Sequence, residues 1–256
     1  MATAKTDKSE AKNKGKNDAR GTRSTWDLVR RAIACECVRH VYLHGPPGIG
    51  KTHFAIHEGH RGAEPVYVVT LTQEMPASEL RGHWTPRGSE LVWMDGPVVR
   101  AMREGGLLVL NELLHASDDA LSFLHPVLER PETASITLPT SETVGPAPGF
   151  RVIVTDNQPP TELPPALRDR FDVSFEIDEP HPSALAALSP LLREAARRAV
   201  ALDEERRVSV RPFLVLDVLR HALGLEDACM AVFGRQRGTQ IHDALLLAMA
   251  QQKLDL

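Results

Sequence analysis

The chain has 256 residues, 42% hydrophobic and 25% charged, with a formal net charge of -4; that suits a globular chain of one domain with an appendage, or two modest domains, and offers no global electrostatic attraction for nucleic acid. Three cysteines, Cys35, Cys37 and Cys229, are too few and too awkwardly spaced for a disulfide framework or a closed zinc site, which points to a reducing compartment. No apolar run approaches the roughly 20 residues of a bilayer span and the N-terminus lacks the apolar stretch of a signal peptide, so a cytoplasmic protein without membrane insertion is expected.

Residues 1–24 carry seven Lys or Arg against three Asp or Glu and almost no large apolar side chain. Such a segment cannot bury enough surface to offset the entropy of ordering, and a disordered tail is expected there. From Thr25 onward helical and extended patterns alternate. Residues 26–37 read as a helix with Leu28, Val29, Ala32 and Ile33 on one side, and 38–43, 66–71, 107–110, 152–154 and 173–177 read as strands. Several of these runs are nearly all apolar, the signature of strands buried on both faces of a parallel sheet covered by helices. A three-layer α/β core over 25–178 follows. After Glu179-Pro180-His181-Pro182 the composition turns rich in Ala and Leu with helical spacing, over 184–202, 212–223, 225–233 and 239–254. Residues 179–256 are therefore expected to form a small all-helical lid domain.

The run Gly45-Pro46-Pro47-Gly48-Ile49-Gly50-Lys51-Thr52 fits G-x-x-x-x-G-K-T and lies between an expected strand and an expected helix, the setting of a phosphate-binding loop. Its glycines let backbone N–H groups face phosphates; Lys51 would reach the β- and γ-phosphates, and the Thr52 hydroxyl would ligate Mg²⁺. His53, next on the helix, joins the nucleotide-binding set. The cofactors implied are ATP and Mg²⁺. A metal-organising group and a water-activating base must come from a neighbouring strand end, and the candidate is Leu107-Leu108-Val109-Leu110-Asn111-Glu112. Glu112 would polarise the attacking water. Asn111 stands where Asp is usual; its amide oxygen can accept a bond from a metal-bound water but brings no charge, so hydrolysis slower than with Asp is expected.

The strand 151–155 delivers Asp156 and Asn157. An amide at that position can hold the attacking water, although Asn is equally a turn residue. Leu163-Pro164-Pro165-Ala166-Leu167-Arg168-Asp169-Arg170-Phe171 puts Arg168 and Arg170 just before the last strand, where they serve either as fingers on a neighbouring subunit's nucleotide or as a salt-bridged surface pair.

In this order and spacing the motifs resemble those of AAA+ ATPases, and specifically the MoxR-type branch that includes activators of rubisco and of nitric oxide reductase. The resemblance runs from Trp26 to about Ala250. It rests on 45–52 as Walker A, 108–112 as Walker B, 154–157 as sensor 1 and 167–171 as the arginine-finger segment. Residues 79–97 are similar to the branch's helix-2 insert and 134–150 to its pre-sensor-1 hairpin. Val208-Ser209-Val210-Arg211-Pro212 resembles sensor 2, which makes Arg211 a γ-phosphate contact. The resemblance implies a hexameric homo-oligomeric ring with ATP at each boundary, acting as a chaperone or remodelling motor on a protein client, often with a von Willebrand A domain partner. The alternative is a nucleotide-gated scaffold that assembles and barely hydrolyses because of Asn111.

Other candidates carry less. His53, His57 and His60 with Glu58 fall one residue short of H-E-x-x-H and read as solvated or supporting histidines. Cys35 and Cys37 read as packing residues. Trp84 and Trp93 fit either a client contact or an anchor for the insert.

Overall fold

The computed structural model describes residues 24–202 and 206–254, the last four by backbone alone. The expected tail lies outside the described residues except for Ser24, whose side chain accepts from Trp26 N–H and caps the first helix. In chain order the first elements are α1 (Thr25–Ala34), β1 (His40–His44), α2 (Lys51–His57), β2 (Val66–Thr70), α3 (Ala77–Arg81), β3 (Gly82–Arg87), β4 (Glu90–Asp95) and α4 (Pro97–Glu104). Next come β5 (Leu107–Asn111), α5 (Asp118–Val127), β6 (Ile136–Thr137), β7 (Thr143–Val144), β8 (Arg151–Asp156), α6 (Pro165–Arg168) and β9 (Val173–Glu176). Five helices follow: α7 (Pro182–Ala186), α8 (Pro190–Val200), α9 (Val210–Leu223), α10 (Leu225–Phe233) and α11 (Arg235–Leu254).

β2, β5, β8, β1 and β9 form one parallel sheet in that order. Every residue of β5 and β8 is buried, as central strands covered on both faces must be. Alternation along each strand sends side chains to opposite layers. Leu107 and Val109 join Val41, Leu43 and Ile153 in the layer with α1 and α2, whereas Leu108 and Leu110 join Tyr42, Val152 and Val154 in the layer with α4 and α5. The first layer continues through Leu185, Leu192 and Phe213 into the C-terminal helices. The α/β core and the helical region that follows it thus match the expected class. Register sets the site: Thr70, Asn111 and Thr155 stand side by side at the carboxyl ends of β2, β5 and β8, and His44 beside Asp156.

Several expectations need correction. α1 stops at Ala34 and buries Trp26, Val29 and Ile33, a spacing that puts Leu28, half exposed, on the outer side. Cys35 and Cys37 follow the helix and are exposed, so they do not pack. The helix expected over 184–202 is two, because Pro190 lacks an N–H and its ring would clash with the carbonyl one turn back; Pro190 instead opens α8. The insert is an antiparallel hairpin of two six-residue strands, β3 and β4, in which Trp84 and Trp93 pair directly with ring centroids 5.5 Å apart. Trp93 is anchored by its Nε1 donating to Asp95 Oδ1 at 2.7 Å, and Trp84 stays 46% exposed. Among the described residues no helix is long and apolar enough to cross a membrane.

Candidate functional site

The loop leaving β1 is built for glycine. Gly45 has φ 140°, and a Cβ there would stand 2.0 Å from the Ile177 carbonyl oxygen. Gly50, at φ 108°, precedes α2 in the left-handed region, and a Cβ would lie 2.6 Å from that of His181. Only glycine takes such conformations without strain. Lys51, 7% exposed, donates from Nζ to the carbonyls of Gly45 (2.7 Å) and Pro46 (2.8 Å) and to Asn157 Oδ1 (3.2 Å). Burial lowers its pKa to about 8, partly opposed by the nearby Asp156 carboxylate. A buried ammonium satisfied mostly by carbonyl dipoles is one that an anion would stabilise further.

Thr52 begins a chain of short polar contacts. Its hydroxyl donates to Asn111 Oδ1 at 3.0 Å, the Thr155 hydroxyl donates to the same oxygen at 2.6 Å, and Asn111 Nδ2 donates to Thr70 Oγ1 at 3.3 Å. These partners fix the Asn111 amide with its oxygen toward the loop. The hydroxyl and amide oxygens are hard donors that suit Mg²⁺. Neither carries charge, so the phosphate oxygens themselves would supply most of the neutralisation. Among the described residues no group of three or more His, Cys, Asp or Glu is arranged to hold a metal without them.

Glu112 follows with φ 60° and ψ 49°, a left-handed conformation that costs a residue with a side chain about 1–2 kcal/mol. Its N–H donates to Thr155 O at 2.8 Å, and its carbonyl accepts from His115 N–H at 2.9 Å. The turn lifts an exposed carboxylate at the end of a fully buried strand. Such strain at an element end is the kind retained where a side chain must be aimed.

The loop, Asn111, Glu112, Asn157, His53 and Arg211 line one cleft of about 620 Å³ between the carboxyl ends of β5 and β8 and the helices α7 and α9. A larger cleft, of about 800 Å³, opens among Leu191, Ala195, Phe213 and Leu245; it contains none of the phosphate loop. Arg168 and Arg170 do not line the cleft that holds the loop. Arg170 pairs with Glu129 and donates to the Ala166 carbonyl. Arg168 is exposed at the end of α6, with no side-chain partner among the described residues.

Sequence reasoning missed the hub that joins the loop to the helical region. His181, 1% exposed, donates its backbone N–H to Ile49 O at 2.7 Å. Its Nε2 lies 3.0 Å from Glu58 Oε1 and its Nδ1 2.7 Å from Ser183 Oγ. With the ring proton on Nε2 facing the carboxylate, Nδ1 accepts from the serine hydroxyl. Glu58 is also bound by Arg30 at 2.6 Å, and Ser183 Oγ is 3.3 Å from His53 Nε2. Sequence offered only a Pro-flanked histidine here, because Ile49 and Glu58 lie far back along the chain.

A parallel sheet of this strand order, with a glycine loop leading from its first strand into a helix and a polar row at the neighbouring strand ends, defines a P-loop nucleoside triphosphatase fold. The chain belongs to the AAA+ family: residues 40–171 match the family described as AAA domain (dynein-related subfamily). It is 34% identical over 174 residues to Protein NorQ of Paracoccus denitrificans, covering 66% of this chain and 61% of that one. It is 31% identical over 210 residues to the denitrification regulatory protein NirQ of Stutzerimonas stutzeri, covering 75% and 76%. These relatives place it in the MoxR-type branch. The chain thus spans less than two thirds of NorQ and about three quarters of this NirQ.

Proposed function

We propose that the chain hydrolyses ATP as a ring-forming MoxR-type motor that remodels a protein client, with 25–178 as the nucleotide-binding core and 179–256 as the lid. The observation that supports it most is the convergence at one strand-end row: Lys51 on Asn157, Thr52 on Asn111, and Glu112 held in a strained turn beside them. In this reading the loop N–H groups and Lys51 bind the phosphates, while Thr52 and Asn111 would hold Mg²⁺, which neutralises phosphate charge when bound. Glu112 takes the proton of the attacking water, Asn157 orients it, and Arg211 reaches the γ-phosphate from the lid. His53 borders the nucleotide from α2. The names of the NirQ relatives speak of regulating denitrification, which agrees with action on other proteins. A hexamer, a von Willebrand A domain partner and a cytoplasmic site complete the proposal.

Of the two arginines, Arg168 is the better trans finger. Arg170 is occupied in bracing α6 against Glu129, whereas Arg168 is exposed and carries no such duty. A finger acting in trans means that two inactive variants can repair one another in mixed rings. Glu112→Gln and Arg168→Ala should each be nearly inactive alone and regain a substantial fraction of wild-type turnover when mixed. A mixture as inactive as its components rules out Arg168 acting across a boundary.

A further inference from the structure

We infer that Asp156 is a positioning residue for hydrolysis, its carboxylate clamping the turn that carries Glu112 to the strand end that carries Asn157. The inference rests on the ATPase reading above and assigns a role to a residue which that reading does not use. Asp156 ends β8 and is 3% exposed. Its Oδ2 accepts from Leu114 N–H at 2.9 Å, and its Oδ1 accepts from the N–H groups of Asn157 at 2.7 Å and Gln158 at 3.3 Å. The bonds to 157 and 158 alone would be a local turn cap, common for Asp. The bond to Leu114 is not local: it crosses 42 residues to the segment directly after Glu112.

Geometry explains why the clamp matters. Glu112 sits in a left-handed conformation that its own side chain does not favour, so neighbouring contacts must hold it there. The end of β8 does so at two successive residues, through the Thr155 carbonyl on Glu112 N–H and the Asp156 carboxylate on Leu114 N–H. The other oxygen of the same carboxylate holds the backbone of Asn157, whose side chain meets Lys51. One buried group therefore sets the separation between the two residues assigned to the attacking water, and small errors in such placement are costly to rate. The two carboxylate oxygens accept one on each side; in asparagine the NH₂ would confront either the Leu114 or the Asn157 donor. Asp156→Asn thus cuts the clamp at nearly constant size.

The test compares wild type, Asp156→Asn, Glu112→Gln and the double variant, all as full chains. ATP turnover is followed in steady state and, with labelled ATP, in single turnover to resolve the residual rate of Glu112→Gln. Amide exchange is compared between 113–116 and the β5 ladder. A positioning role predicts that Asp156→Asn lowers kcat by about 10-fold or more while KM for ATP changes by less than about 3-fold. It further predicts that the double variant falls below Glu112→Gln by clearly less than the factor lost in Asp156→Asn alone, because much of the carboxylate's effect acts through Glu112. Exchange at 113–116 should quicken in Asp156→Asn while β5 stays protected. Wild-type kcat in Asp156→Asn, a double variant slowed below Glu112→Gln by the full single-variant factor, or unchanged exchange at 113–116 would each overturn it. If the wild type itself does not hydrolyse ATP, the ATPase reading falls separately, and the exchange comparison alone decides whether Asp156 holds the turn.

Discussion

At the scale of one residue, the burial of Lys51 is what would make an anion welcome. Its ordinary pKa of 10.5 falls to about 8 because burial penalises the ammonium. Between those values the unfolded chain binds the proton more readily than the native one. The penalty, roughly 3 kcal/mol, is therefore full below pH 8 and is relieved as pH rises toward 10.5. Phosphate placed against Nζ would favour the charged form and lift the pKa again. ATP binding near pH 8 should then draw in about half a proton, visible as a dependence of calorimetric binding heat on the ionisation enthalpy of the buffer. Identical heats in buffers of different ionisation enthalpy would contradict this account of Lys51. Asn111 works in the opposite sense: it is satisfied by Thr52, Thr155 and Thr70, so it orders the row without adding charge.

Strands were readable in the sequence where burial is two-sided. The unbroken aliphatics of β5 allow no amphipathic alternative, and its observed span differs from the expected one only by including Asn111. Boundaries were less readable where the deciding contact is tertiary. α1 ends early, and Ser24, expected to be tail, caps it while Glu179 Oε1 accepts from Thr25 N–H at 2.7 Å and Glu179 O from Trp26 Nε1 at 3.2 Å. Nothing in the local pattern of residues 24–37 foretells a partner so far along the chain. Because β5 both fills the core and aims Asn111 and Glu112, shortening one of its buried side chains should affect stability strongly. Leu110→Ala, at a fully buried position, should cost about 2–5 kcal/mol in chemical denaturation. A loss below about 1 kcal/mol would mean that the sheet tolerates a cavity beside the site.

Across the whole molecule, the loop was legible because its chemistry is written in consecutive residues, and the strand-end row because each member closes an apolar run. The His181 hub and the Asp156 bond to Leu114 were not, since each joins elements far apart in sequence. Burial of histidines, in the hub and on β1, has a consequence for pH. His181, His40 and His44 all have lowered pKa values, with burial the leading cause; Glu58, the Arg170 carbonyl and Glu176 respectively give the largest opposition. Lowered histidines are neutral in the native state while the unfolded chain takes up protons from about pH 6.5 downward. Stability should therefore fall as pH drops below about 6.5 and level off beneath the native pKa values, as followed by the thermal midpoint between pH 7 and 5; a midpoint that rises on acidification would refute the assignment of neutral histidines. The central claim, that this strand-end row hydrolyses the nucleotide its loop binds, is tested most directly by comparing ATP turnover and ATP affinity in wild type and Glu112→Gln. The account predicts that Glu112→Gln binds ATP with affinity within about 3-fold of wild type while kcat falls about 100-fold or more; equal turnover in the two proteins would contradict it.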